Sequence, residues 1–227
     1  MMRNLRKVKK MKGLMIVLII ILSIGLVGSV TLMGLGGQQP PTSVDPSLPR
    51  EEQISFFEGL LVEYSAKLEK DSKDQETLGA LAEIHWHLAN LHEDAEKQKQ
   101  EMNNSLGYYL KLLELNPEDI NLMTQVAVVA YTAGNDDLAQ ENFEKALQLD
   151  QGNVNTLANY GVYLMNSKGD FKGALTQFEK ALEQDISDDA REQLEVFAGF
   201  AKQMIEALEA DSENEGTEGS QEKTSTN

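Results

Sequence analysis

The stretch NFEKALQLD at 142–150 returns as QFEKALEQD at 177–185, and the architecture of the chain follows from that recurrence. Working outward from it, Gly134, Ala139, Phe143 and Ala146 have counterparts in Gly169, Ala174, Phe178 and Ala181, each 35 residues later. Four matches at one interval mark an internal repeat, and a unit of this size buries a continuous core only by stacking on its neighbours. Within each unit the apolar residues recur at helical spacing. The pattern predicts helices over Asn121 to Ala133 and Asp137 to Leu149, then over Asn155 to Ser167 and Phe171 to Gln184. Gly134 with Asn135, and Gly169 with Asp170, supply the reversals, because glycine enters the left-handed conformation that ends a helix without a Cβ penalty. Each unit is therefore a helical hairpin.

The triads Ala139–Phe143–Ala146 and Ala174–Phe178–Ala181 resemble the signature of the tetratricopeptide repeat family. Small residues at these positions let two helices approach while the phenylalanine fills the gap between them. Met123 and Leu157 stand where the family has tryptophan, and Gln151 and Ile186 where it often has a closing proline. Tyr160–Gly161 keeps the family's hydrophobic–glycine pair, whereas Val126–Ala127 is a looser match, and one extra residue precedes Gly169. A third, longer unit is expected upstream over 75–119, with Ser105 and Tyr109 at the small and aromatic positions and Pro117 as the closing proline. Its surplus of about ten residues predicts lengthened helices or a protruding loop over His92 to Asn104. Flanking helices over Glu51 to Lys70 (Ile54, Phe57, Leu61, Tyr64, Leu68) and Asp188 to Glu209 (Leu194, Phe197, Ala201, Met204 or Ile205, Leu208) are expected to cap the array. The fold expected is all-α: about three repeats, over 75–119, 120–153 and 154–188, within a helical domain at 50–209.

The two ends of the 227-residue chain differ from this core. Residues 1–12 carry six bases and no acid, whereas the rest holds all 37 acids and only 14 bases, a balance of −23. From Gly13 to Gly37 no residue is charged, and LMIVLIIIL at 14–22 is wholly apolar. Roughly 20 such residues cross the ~30 Å hydrocarbon core of a bilayer, so a transmembrane helix is expected over 13–36; the alternative is a cleaved secretory signal, whose apolar stretch is ordinarily shorter and ends in an Ala-x-Ala pattern not found here. Bases on one flank predict a cytoplasmic N-terminus and an extracytoplasmic repeat domain. The segment 37–49, within a stretch that holds four of the five prolines, reads as a semi-rigid spacer. The segment 210–227, with almost no apolar side chain, reads as a disordered acidic tail.

Little in the sequence suggests catalysis. The acidic balance disfavours nucleic acid, and the absence of cysteine removes thiolate chemistry, disulfides and cysteine-ligated zinc. No phosphate-binding loop, nucleophile elbow or His-Glu-x-x-His motif is present. His85, His87 and His92 cluster around Trp86, which is the only basis for a metal-dependent enzyme. On a helix, however, His85 and His87 point to opposite sides, so a packing role is the simpler expectation. No catalytic residue, cofactor or small-molecule substrate is indicated.

The family resemblance implies a different kind of site, a peptide or helix of a partner protein held on the concave face of the first helices. In this chain that face would carry Asn121, Thr124, Val128, Tyr131 and Thr132, then Asn155, Ala158, Asn159, Val162 and Asn166, with Glu83, Trp86 and His87 upstream. It has amides without the Lys and Arg that a carboxylate clamp needs, so it suits an extended backbone or an amphipathic helix. The expected role is a membrane-tethered adaptor or scaffold of the cell envelope. An accessory chaperone in protein export or cytochrome c-type biogenesis is the alternative.

Overall fold

A computed structural model describes residues 44–221, with side chains through Ala210. The basic N-terminus at 1–12, the apolar segment at 13–36 and the first part of the spacer lie outside the described residues. Among the described residues no helix is long and apolar enough to cross a membrane.

The described chain is all-α. Its helices are α1 (Arg50–Leu68), α2 (Gln75–Leu91), α3 (Ala95–Leu115), α4 (Ile120–Thr132), α5 (Asp136–Leu149), α6 (Val154–Tyr163), α7 (Phe171–Leu182) and α8 (Asp188–Gln221). A π-helical turn, Leu164–Lys168, continues α6. The helix starts are written in the sequence. Asp74, Asp94, Asp119, Asn135, Asn153 and Asp170 each sit at an N-cap and accept a hydrogen bond from a backbone N–H of the first turn. Each such cap contributes about 1 kcal/mol by satisfying a donor that the helix itself leaves free. The two inner hairpins are closed by Gly134 (φ +83°) and Gly169 (φ +64°), the left-handed reversals expected there.

Consecutive helices pack side by side as α2 with α3, α4 with α5 and α6 with α7, and the hairpins stack into a solenoid. Antiparallel pairing is fixed by contacts between opposite helix ends: Asn116 of α3 donates to Gln75 of α2, and Tyr163 Oη donates to the backbone carbonyl of Asp136. The signature residues are consumed by this packing. Ala139, Phe143, Ala146, Ala174, Phe178 and Ala181 are all fully buried. Burying each phenylalanine ring contributes about 1.5–3 kcal/mol. In the long unit, Ser105 takes the small position and donates to the Ala82 carbonyl at 2.8 Å, so a hydroxyl is tolerated at a helix contact because it is satisfied. Tyr109 is buried beside it, in the same core as Leu78, Leu112, Val126 and Phe143.

Of the two outcomes expected for the long unit, lengthened helices is the one found: α2 has 17 residues and α3 has 21, with only His92 to Asp94 between them. Two segments at the ends of the domain differ from the sequence expectation. The spacer is shorter than 37–49, because 44–49 forms a turn in which Asp45 accepts from Ser47, and Val44 packs against the α1–α2 core. The last helix passes Glu209 and runs to Gln221, into the tail expected to be disordered.

Candidate binding surface

The first helices of the inner units are α4 and α6, and α8 occupies the same place after α7. Asn153 caps α6 34 residues after Asp119 caps α4, and Ser187 Oγ accepts from Ala190 N at the start of α8 another 34 residues on. The ten expected surface residues divide sharply by burial. Asn121, Thr132 and Asn166 are exposed, Tyr131 and Asn155 are half-buried, and Thr124, Val128, Ala158, Asn159 and Val162 are buried.

The buried set is used in stacking one unit on the next. Thr124 and Thr156 share a hydrogen bond of 2.7 Å between α4 and α6, with Thr156 also donating to the capping Asn153. Val128 belongs to the core that contains Tyr163 of α6, and Ala158 and Val162 to the core that contains Leu194, Phe197 and Ala198 of α8. Asn159 spends its amide on Asn155, donating to both its backbone carbonyl and its side-chain oxygen. The helix wheel of a single unit could not reveal this, because what covers these positions is the following unit. Of the ten residues, only Asn121, Tyr131, Thr132, Asn155 and Asn166 keep part of their surface exposed.

Tyr131 anchors one end of this strip. It lies against Tyr163, which stacks with Tyr160, and Tyr160 in turn stacks on Phe143. Burial pushes the Tyr131 hydroxyl above its ordinary value, and burial reinforced by Glu144 pushes Tyr160 up to about 12. Both phenols are neutral hydrogen-bonding groups near neutral pH. Lys168, carried by the π turn, lies over the Tyr163 ring and faces Asp136 at 3.6 Å, tying the two hairpin reversals together.

The histidines are placed apart. His85 is buried, its Nδ1 2.5 Å from Glu101 of α3 and its ring stacked on Tyr108. His87 stacks on Phe57 of α1, where burial lowers its pKa, and His92 is the C-cap of α2. Neighbouring side chains on one helix thus turn to different partners, α3 on one side and α1 on the other. Among the described residues no group of three or more His, Asp or Glu side chains is placed to hold a metal. His87 leaves the expected concave set, and Trp86 is half-buried against the central core.

No family model and no curated protein matches the sequence. Solved structures do. TTC0263, a thermophilic TPR protein of Thermus thermophilus, superimposes with a TM-score of 0.54 at 23% identity over 65% of this chain and 75% of that one. MamA aligns at 20% identity over 62% of this chain and 95% of its own, with a TM-score of 0.34, too loose a superposition to add weight. By fold, the chain is a tetratricopeptide-repeat helical solenoid. The buried triads, the reversing glycines and the stacked hairpins are that fold seen residue by residue.

Proposed function

We propose that this protein is a protein-interaction scaffold tethered to a membrane by residues 13–36, with its repeat domain on the extracytoplasmic side and Asn121, Tyr131, Thr132, Asn155 and Asn166 meeting the partner. One observation carries the reading. The recurring residues are buried in stacking, and what the expected set leaves exposed is three amides, a hydroxyl and a phenol, none of them charged, which supports a surface that meets a partner's backbone. Such a strip bonds a peptide backbone or the polar edge of a helix, and offers no nucleophile or acid–base pair. The apolar segment LMIVLIIIL and its basic flank support the tether and its orientation.

A photo-cross-linking residue placed at Asn121 or Asn166 in intact membranes should capture a defined partner that the same residue at Lys145 or Lys180, on the second helices, does not. Identical capture profiles from all four positions would overturn the assignment of the strip. Protease added to intact spheroplasts should digest the repeat domain. Digestion only after permeabilisation would invert the topology and place the scaffold in the cytoplasm.

A further inference from the structure

The 34-residue register brings one valine to the same place in three alternate helices: Val128 on α4, Val162 on α6 and Val196 on α8. The first two are 3% exposed, because a parallel helix follows each of them: Val128 shares a core with Tyr163 of α6, and Val162 with Leu194 and Ala198 of α8. Val196 is 54% exposed and belongs to no core. One turn further on, Phe200 leans on the last core but keeps part of its ring exposed, Met204 is partly exposed at the next turn, and beside them no other part of the described chain comes within 4 Å of where a Gly199 Cβ would stand. Helical spacing sets Val196, Phe200 and Met204 in one strip along α8.

In the two earlier units the chain itself covers this position, with a helix lying along it. At the position of Gly161, which faces Phe178 of its own hairpin, α8 carries the bulky, charged Glu195, and among the described residues no helix follows α8. The charge beside the strip specifies the visitor. Glu192, Glu195 and Glu206 flank it, all exposed, and among the described residues none is paired with a cation; Lys202 is engaged with Glu179. A second copy of this chain would bring the same carboxylates to the contact, and like charges oppose it.

We propose that the Val196–Phe200–Met204 strip of α8 docks a cationic amphipathic helix of a partner protein, laid along α8 as α6 lies along α4. The apolar strip supplies the affinity and the glutamates select the sign of the partner's charge. The proposal rests on the interaction reading above but uses a different surface, so it stands or falls separately from the amide strip.

The chain contains no cysteine, so Gln203→Cys, at an exposed position next to the strip, gives a unique attachment point for an environment-sensitive fluorophore. The full-length labelled protein in detergent micelles is titrated with a designed 18-residue helix bearing Leu and Ala on one face and Lys on the other, and with its Glu-for-Lys twin. Saturable binding of the Lys helix only is expected, weakened about tenfold by Val196→Lys, since burying a valine and avoiding like charge are together worth about one decade or more. Val62→Lys, on the far helix α1 where Val62 is 73% exposed, should change nothing. Equal binding of both peptides, or equal loss with both variants, would overturn the proposal. A fluorescence change with protein concentration alone would replace it with self-association. Thermal melts of both variants within a few degrees of the parent confirm that the fold is not what changed.

Discussion

Gly161 illustrates how narrow the tolerances are at the residue scale. A Cβ there would stand 2.5 Å from the Phe178 ring, and Phe178 is fully buried with nowhere to turn. Gly161→Ala is therefore expected to cost about 1–3 kcal/mol, the range for forcing volume into a packed core, read as a lower denaturant midpoint with unchanged slope. Ala127 stands at the equivalent place in the preceding hairpin, so the clash belongs to the α6–α7 pair and not to the repeat as such. His87 makes the second prediction. Burial against Phe57 lowers its folded pKa below the ordinary 6.5, so between the two values the unfolded chain binds the extra proton. Stability is complete above about pH 6.5 and falls as the pH drops below it. In His87→Phe, which keeps the stacked ring without the titration, the melting temperature should fall less between pH 7.5 and 5.5 than in the parent protein. An equal fall in both would assign the pH dependence to other groups.

At the scale of elements, the π turn gives physical meaning to a one-residue irregularity. The caps of α4 and α6 are 34 residues apart, but the glycines that close their hairpins are 35 apart, and the extra residue is absorbed in Leu164–Lys168. A π turn is how a helix takes up one residue without shifting the contacts on either side. Deleting Ser167, which is exposed, should return this segment to ordinary α-helix and keep a cooperatively folded protein. Loss of cooperative unfolding in that variant would show instead that the π turn is required for the α6–α7 packing. The ends of the array also obey element-level logic. α1 covers the first hairpin with Phe57 and Tyr64, and α8 covers the last with Leu194, Phe197 and Ala201. Leu208, expected on the buried face of α8, is 51% exposed because α8 has by then passed the start of α7, where Lys172 pairs with Glu209.

Among the described residues, eight helices in antiparallel succession place both termini of the solenoid at one end. Arg50, at the start of α1, pairs with Glu93 at the reversal between α2 and α3, and α8 reaches that same end at Glu209 beside Lys172. With Val44 docked on the α1–α2 core, only residues 37–43 separate the proposed membrane segment from the folded domain, a reach of at most about 25 Å. The end carrying Glu93, Asn135 and Asp170 should therefore lie nearer the bilayer than the end carrying Pro117 and Gln151. In reconstituted vesicles a fluorophore at Asn135→Cys should be quenched by headgroup-attached quenchers more than one at Gln151→Cys. Equal quenching would mean that the tether does not orient the domain.

Much of this was legible in the sequence, because the repeat depends on local physics. Aspartate and asparagine caps, reversing glycines and the small–aromatic–small triads act within one hairpin, and each recurs along the chain at fixed spacing. Ser105 and Tyr109 could be placed for the same reason, even in a unit of irregular length. The binding surface was only half legible. The family resemblance implied that Thr124, Val128, Ala158, Asn159 and Val162 lie on an open face, yet they are buried in cores shared with the next unit, and burial by a neighbour is a property of the stack alone. The recurrence of valine at 128, 162 and 196 was present in the sequence from the start, but that the third is bare and the first two are covered follows from where the array ends. The sequence by itself determined the all-α repeat architecture, because capping, reversal and close approach are decided by residues near one another in the chain. Tertiary structure alone decided which side chains remain exposed, because exposure depends on what packs above a residue, and that neighbour lies some 34 positions away or, for α8, is absent among the described residues.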